Sequence, residues 1–196
     1  MSHSIQSYQT YQQQRKEWTK KAAPLFQQQY KEFFDVGPKA IIDVENADDS
    51  AYRADAPQYQ RLAHAVDYSG ADKIIEGPEE TIMVAERARK KDLVNGYPRD
   101  PSLRFKTPGD HPSPFDKWTN AVRSGTGFHP GIMSFGVVEP DAGGIFFDTF
   151  AMIAMRPWLE AINEGRIEPI GNFGTNAHYY PLDRLRSIEG CVLYEE

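Results

Sequence analysis

Hydrophobic residues recur with helical or strand spacing along most of this chain. In the first 35 residues, apolar and aromatic side chains recur every three or four positions, which predicts one or two amphipathic helices interrupted at Ala23-Pro24. Two interpretations are open: an arm that docks onto a partner, or helices packed on the chain's own core. We divide the chain into an N-terminal helical arm, residues 1–36, and a domain, residues 37–196.

The centre of the chain has the pattern of a β-hairpin. A short apolar run at 40–44 predicts a strand or a turn of helix, and residues 58–66 have one apolar face and predict a short helix. Segments 72–76 and 82–91 are rich in Ile, Val and Met and are separated by Gly77-Pro78-Glu79-Glu80. That composition predicts two antiparallel strands joined by a turn.

The second half alternates between helical and extended patterns. We expect helices at 114–123, 156–165 and 183–187, and strands at 132–138, 146–155, 177–180 and the C-terminus. Helices and hairpins in this order predict an α/β or α+β domain with a mixed β-sheet flanked by helices.

Composition narrows the class of protein. The 196 residues are 40% hydrophobic and include 11 Phe, 10 Tyr and 3 Trp, enough for a packed core. A formal net charge of −6 excludes a uniformly basic nucleic-acid coat, so any such contact has to be a local patch. One cysteine allows no intrachain disulfide, and no apolar run approaches the ~20 residues of a membrane span. We therefore expect a cytoplasmic protein without a membrane partner.

Two acids mark the ends of the predicted hairpin strands. Asp72 begins the first strand and Glu86 lies near the end of the second, so an antiparallel pairing brings both to one edge of the sheet. Two carboxylates there can share Mg²⁺ or Mn²⁺, with water and phosphate oxygens completing the coordination. The alternative is that Asp72 caps a turn and Glu86 pairs with Arg89 on the surface. In both cases we expect Glu86 to be a solvated acid.

Basic residues follow Glu86 closely. This run has seven cations in twenty residues, Arg87, Arg89, Lys90, Lys91, Arg99, Arg104 and Lys106. In an acidic chain such a run is the best candidate for phosphate-backbone contacts, for which we select Arg87, Arg89, Lys91, Arg104 and Lys106. The alternative is an ordinary solvated face with ion pairs to acids elsewhere.

The helix at 58–66, the turn 67–71, and the acid-bearing strands that follow resemble the core of the PD-(D/E)XK, or restriction-endonuclease-like, nuclease superfamily. The likeness covers roughly residues 58–90 and suggests a small member of a virus or plasmid type. It implies a metal-dependent nuclease acting on DNA or RNA, with Asp72 and Glu86 as ligands of Mg²⁺. Asp67 is a further ligand candidate, although capping of the turn is the simpler role for it.

The resemblance also implies a lysine two residues after the second acid, where this chain has Ala88. We expect Lys90, on the same strand face, to take that catalytic role, with Lys73, Arg87 or Arg89 as alternatives. The missing lysine leaves a second function open. A catalytically silent protein of nuclease fold would bind nucleic acid or a protein partner, and the N-terminal arm would allow a homodimer.

Overall fold

The computed structural model describes residues 20–44, 70–77, 80–90, 100–105, 112–125, 129–142, 144–171 and 177–196. The predicted helix at 58–66, Asp67 and the first 19 residues lie outside these ranges. Within them the chain forms a mixed six-stranded sheet, a second small sheet and flanking helices. The fold is α+β, which confirms the predicted fold class.

Apart from the strand Ser102–Arg104 and a 3₁₀ turn, which were not predicted, the described elements follow the predicted order. The strands are β1 Ile41–Asp43, β2 Lys73–Glu76, β3 Thr81–Lys90, β4 Ser102–Arg104, β5 Ile132–Asp141, β6 Gly144–Ala154, β7 Ala177–Tyr179 and β8 Val192–Glu195. The helices are α1 at 20–34, α2 Pro114–Ser124, α3 Met155–Asn163 and α4 Leu182–Arg186, and a 3₁₀ turn, Pro38–Ala40, leads into β1. Among the described helices, none has the length and apolar character needed to cross a membrane.

The main sheet has the order β1-β2-β3-β5-β6-β8. Strands β1, β2 and β3 form an antiparallel meander, and β5 then pairs with β3 in parallel. Strands β5 and β6 form a long antiparallel hairpin, and β8 closes the far edge. Strands β4 and β7 form the separate two-stranded sheet. The parallel pair places β3, which carries Glu86, in the interior of the main sheet.

Helix α1 covers one face of the main sheet. Its residues Ala22, Phe26 and Tyr30 are completely buried, and the Phe26 ring contacts Phe147 and Phe150 edge-on at centroid distances of 5.0 and 5.9 Å. Of the two interpretations of the arm, packing on the chain's own core therefore holds for residues 20–34. The boundary between arm and domain at residue 36 stays a prediction.

The predicted interruption at Ala23-Pro24 is wrong, because α1 is helical throughout residues 20–34. Proline lacks an amide hydrogen, so the helix loses one backbone hydrogen bond at Pro24. Burial of Ala22 and Phe26 on either side of the proline offsets that loss.

Helices α2, α3 and α4 cover the opposite face. Trp118 of α2, Trp158 of α3 and Leu185 of α4 pack with β5 residues such as Phe135 in the larger core cluster. Helix α2 begins where the sequence predicts, because the Ser113 hydroxyl accepts the backbone N–H of Asp116 at 3.0 Å and Pro114 follows the cap. The sheet is thus buried on both faces.

Candidate functional site

The two predicted acids meet at one end of the β2–β3 hairpin. The chain enters β2 through Gly70, whose φ of +75° is accessible to glycine without strain, and a Cβ there would lie 3.3 Å from the Trp118 ring. Asp72 follows this turn, one residue before β2 begins, and its backbone N–H donates to the carbonyl of Val84 at 2.8 Å. The turn therefore delivers the Asp72 side chain to the edge of β3 beside Glu86.

Asp72 is bonded to the strand that carries the second acid. Its Oδ2 accepts the backbone N–H of Glu86 at 2.6 Å and lies 3.2 Å from Nη1 of Arg87. The same Arg87 nitrogen donates to the carbonyl oxygen of Glu86 at 2.6 Å. Asp72 lies directly before the first residue of β2. Its carboxylate therefore satisfies the Glu86 N–H, a backbone donor of β3 that lies just beyond the paired part of β2.

Glu86 is buried, and the expectation of a solvated acid is wrong. Only 7% of the residue is exposed, because α1 lies over this part of the sheet. Its Oε1 accepts the hydroxyl of Tyr30 from α1 at 3.0 Å, and its Oε2 lies 3.8 Å from Nζ of Lys73. The alternative in which Glu86 pairs with Arg89 on the surface is also wrong, because its partners are Tyr30 and Lys73.

A row of charged side chains crosses three strands on the face covered by α1. Lys73 pairs with Asp43 of β1 on one side and with Val84 of β3 on the other, and Glu86 shares the face of Val84. The Lys73 ammonium lies 2.8 Å from Oδ2 of Asp43, whose side chain is 33% exposed. One buried lysine thus lies between two carboxylates.

The electrostatics of the row favour protonation of Glu86. Burial raises the pKa of Glu86 from its ordinary value near 4.5 to about 7, and the charges of Asp72 and Asp43 act in the same direction. The Lys73 ammonium and the Tyr30 hydrogen bond oppose this shift. Near neutral pH this carboxyl can therefore both hold and release a proton, as groups at functional sites often do.

The surroundings of Tyr30 are partly polar. Burial and the nearby Glu86 charge raise the pKa of Tyr30 well above its usual value, so its hydroxyl stays a donor. Ser134, which is paired with Glu86 across β3 and β5, is completely buried. Its hydroxyl makes no hydrogen bond of ordinary length and angle within the described part of the chain, but its proximity opposes the pKa shift of Tyr30.

In the part of the chain that the structure describes, the cations of the basic run do not form one continuous surface. Arg87 is bound to Asp72, and Arg89 donates to the Ser102 hydroxyl at 2.6 Å with its guanidinium 4.8 Å from the centre of the Tyr179 ring. Arg104, at the end of β4, is exposed. Lys91, Arg99 and Lys106 lie outside the described residues, as does the side chain of Lys90, the last residue of β3.

Sequence reasoning did not assign three members of this site. Asp43 follows the apolar pair Ile41-Ile42, as Glu86 follows Val84-Ala85, and an acid that ends an apolar strand was the signal available for it. Lys73 was only an alternative for the lysine role, although it follows Asp72 directly. Tyr30 gave no local signal, because its contact with Glu86 spans 56 residues.

Carboxylates are the ligands that Mg²⁺ prefers, and Asp43, Asp72 and Glu86 supply them at one end of the sheet. The described residues contain no group of three or more His, Cys, Asp or Glu side chains arranged around a single ion. An ion here would rest on one or two carboxylates plus water, which suffices for Mg²⁺.

Comparisons with family models, curated proteins and solved structures found no match.

Proposed function

We propose that the chain is a metal-dependent nuclease that cleaves phosphodiester bonds of DNA or RNA, with Asp72 and Glu86 as ligands of Mg²⁺ or Mn²⁺. The observation that supports this function is the 2.6 Å hydrogen bond from the Glu86 N–H to the Asp72 carboxylate. It holds the Asp72 carboxylate, directly before β2, against the backbone of Glu86, the second acid of the motif, in β3. The proposal includes the cytoplasmic, virus- or plasmid-type setting expected from the sequence.

The bound ion would supply a Lewis acid that lowers the pKa of a water molecule and neutralises phosphate charge. Asp72 is the more accessible of the two acids, with 22% of its side chain exposed, whereas the Glu86 side chain is 3% exposed. We assign the outer ligand position to Asp72 and the inner one to Glu86.

Lys73 supplies Glu86 with a cation from the neighbouring strand, whereas the superfamily motif places a lysine two residues after the acid. Its ammonium lies 2.8 Å from Asp43 and 3.8 Å from Glu86, and it partly opposes the burial that raises the pKa of Glu86. Since the Lys73 side chain is only 3% exposed, contact with the substrate is left to Lys90 in this proposal.

The second candidate function is a catalytically silent protein that binds nucleic acid or a protein partner. The burial of Glu86 beneath α1 favours it, because an acid 7% exposed is poorly placed to meet a phosphate. The ion pair between Arg87 and Asp72 favours it as well, since both side chains already have partners.

A cleavage assay separates the two functions. Wild type is incubated with double- and single-stranded DNA and with RNA, in Mg²⁺, Mn²⁺ or a chelator. We expect metal-dependent cleavage that Asp72→Asn reduces by more than about 100-fold with little loss of binding, because the ion provides both nucleophile and charge stabilisation. The matched control is Asp183→Asn, which changes a surface carboxylate that is 86% exposed. Binding without cleavage in every metal would favour the silent protein.

A further inference from the structure

Three aromatic rings lie together where the small sheet meets α2. The Phe105 ring, one residue after β4, stacks on the His178 ring of β7 with 4.3 Å between centroids and 28° between planes. Phe115, in the first turn of α2, contacts the same imidazole edge-on at 5.1 Å. All three residues are half-buried, so part of the stack reaches the surface.

The pairing of β4 with β7 sets the order of the rings. Leu103 lies across from His178, so both side chains leave the same face of the small sheet, and Leu103 is 1% exposed in the larger core cluster. Alternation brings Phe105, two residues later, to that face. Phe115 packs against the larger core cluster, whereas the only described ring in contact with Phe105 is His178. Phe105 is therefore the outer ring of the stack.

The imidazole in this stack is uncharged near neutral pH. Burial lowers the pKa of His178 from its ordinary value near 6.5, although the charge of Asp116 acts in the opposite direction. A flat, neutral imidazole extends the aromatic surface behind Phe105. Aromatic faces of this kind attract other flat rings, and every nucleobase has such a face.

The residues beside Phe105 are positively charged. Arg104 comes directly before it and is exposed, and Lys106 follows it in the sequence. Consecutive side chains leave an extended chain in opposite directions, as the base and the phosphate of one nucleotide do. In the part of the chain that the structure describes, β4 pairs with β7 alone, so its other edge carries no strand. A nucleotide at this edge can place its base on Phe105 and its phosphate near Arg104.

We propose that Phe105 is a stacking platform for an unpaired nucleobase, and that the nucleic acid bound by this chain is single-stranded. The inference rests on the nucleic-acid contact of the proposed function and requires no metal ion. In a duplex each base already stacks on its neighbours, so its face is closed to a side chain. Stacking of one base on an aromatic side chain strengthens binding by about 5- to 150-fold.

The test measures binding of a short labelled oligonucleotide, as DNA and as RNA, by fluorescence anisotropy at low salt in a chelator. Phe105→Leu keeps an apolar side chain and removes the ring, and we expect its affinity to fall about 5-fold or more. The matched control is Phe146→Leu, which removes a ring that is 43% exposed on β6. Its affinity should stay within about twofold of wild type.

An abasic oligonucleotide separates stacking from phosphate contacts, because it has the same backbone without bases. Wild type and Phe105→Leu should bind it equally, so that the loss appears only when bases are present. The Phe105→Trp variant should bind the normal strand as well as wild type does. Its added indole fluorescence should be quenched by the normal strand and not by the abasic one, a measurement that does not depend on the folding of Phe105→Leu.

Each outcome supports or overturns the stacking role. Equal binding of the normal strand by wild type and Phe105→Leu, the same loss on the abasic strand, or tighter binding of duplex than of single strands would overturn it, and the proposed contact with nucleic acid would stand. Absence of any binding by wild type would remove both. Cleavage is assayed separately with metal present, so a failure there affects the proposed nuclease activity and leaves the stacking role intact.

Discussion

The ammonium of Lys73 lies 3.8 Å from Oε2 of Glu86, and each of the two side chains is 3% exposed. Few buried lysines and glutamates tolerate the loss of their partner, because the remaining charge has no water to solvate it. The pair also joins two strands on the face that α1 covers. This ion pair therefore affects both the stability of the sheet and the pKa of Glu86.

Lys73→Met should destabilise the protein by about 3–5 kcal/mol, because it removes the cation between Glu86 and Asp43 and leaves Glu86 without its charged partner. Adding Glu86→Gln should recover part of the loss, with a coupling energy of about 0.5–3 kcal/mol. Urea unfolding of the two single variants and the double variant measures this coupling. Additive effects would mean that the ion pair contributes nothing.

Stability should fall as pH rises from about 4.5 to about 7. The pKa of Glu86 is raised to about 7 in the folded chain, from an ordinary value near 4.5, mainly by burial. Between these values the folded state binds the extra proton, so the free energy of unfolding decreases as the pH rises. The contribution of Glu86 is at most about 3 kcal/mol.

Glu86→Gln carries no titrating proton and is the control for that dependence. The difference in free energy of unfolding between wild type and this variant should change through the same pH window and be flat below it. Chemical denaturation at pH 4, 5, 6, 7 and 8 gives the curve. A difference that is constant from pH 4 to 8 would show that the pKa of Glu86 is not raised.

The hairpin that bears the acids was predictable because its signals are local. The Ile-rich and Val-rich runs and the turn at Gly77 give β2 and β3 to within one residue at most ends. Asp72 falls just outside β2, where its side chain accepts the Glu86 N–H and its backbone carbonyl accepts the N–H of Val44. Alternation also placed Glu86 on the face of Val84 and Ala88, which is the face that α1 covers.

The burial of that face was not predictable in the same way. Whether Glu86 meets water or a helix depends on where α1 packs, and α1 lies more than fifty residues earlier in the chain. The helical spacing of Ala22, Phe26 and Tyr30 predicts an apolar stripe, but it does not identify the strand that the stripe covers. Arg89 is a similar case, since its aromatic neighbour Tyr179 belongs to the distant β7.

Gly136→Ala should destabilise the protein by about 1–3 kcal/mol through overpacking. A Cβ at Gly136 would lie 2.3 Å from Cε1 of Phe147, and that ring is held between Phe26 and Phe150. Gly37→Ala is the control, because a Cβ at Gly37 has no atom within 4 Å. Thermal unfolding compares the two variants, and equal midpoints would show that the Phe147 ring moves aside without cost.

The arginines of the basic run should separate into structural and phosphate-contacting residues. Arg104 is exposed, whereas the guanidinium of Arg89 is held by Ser102 and lies near the rings of Tyr179 and Phe135. If the chain binds nucleic acid, Arg104→Gln should reduce the log–log salt slope of binding by about 0.9, the value for one lost contact on B-DNA. Its unfolding temperature should not change.

Arg89→Gln makes the same change in charge at a partly buried position and is the matched comparison. It loses a hydrogen bond and the contacts with two aromatic rings, which are worth about 0.5–2 kcal/mol in a partly buried setting, so its unfolding temperature should fall. Its salt slope should stay close to that of wild type, because a guanidinium already bonded within the fold releases few counterions from phosphate. A lower salt slope with an unchanged unfolding temperature would instead place Arg89 on the nucleic acid. That result would mean that the contacts with Ser102 and Tyr179 give way when the ligand binds.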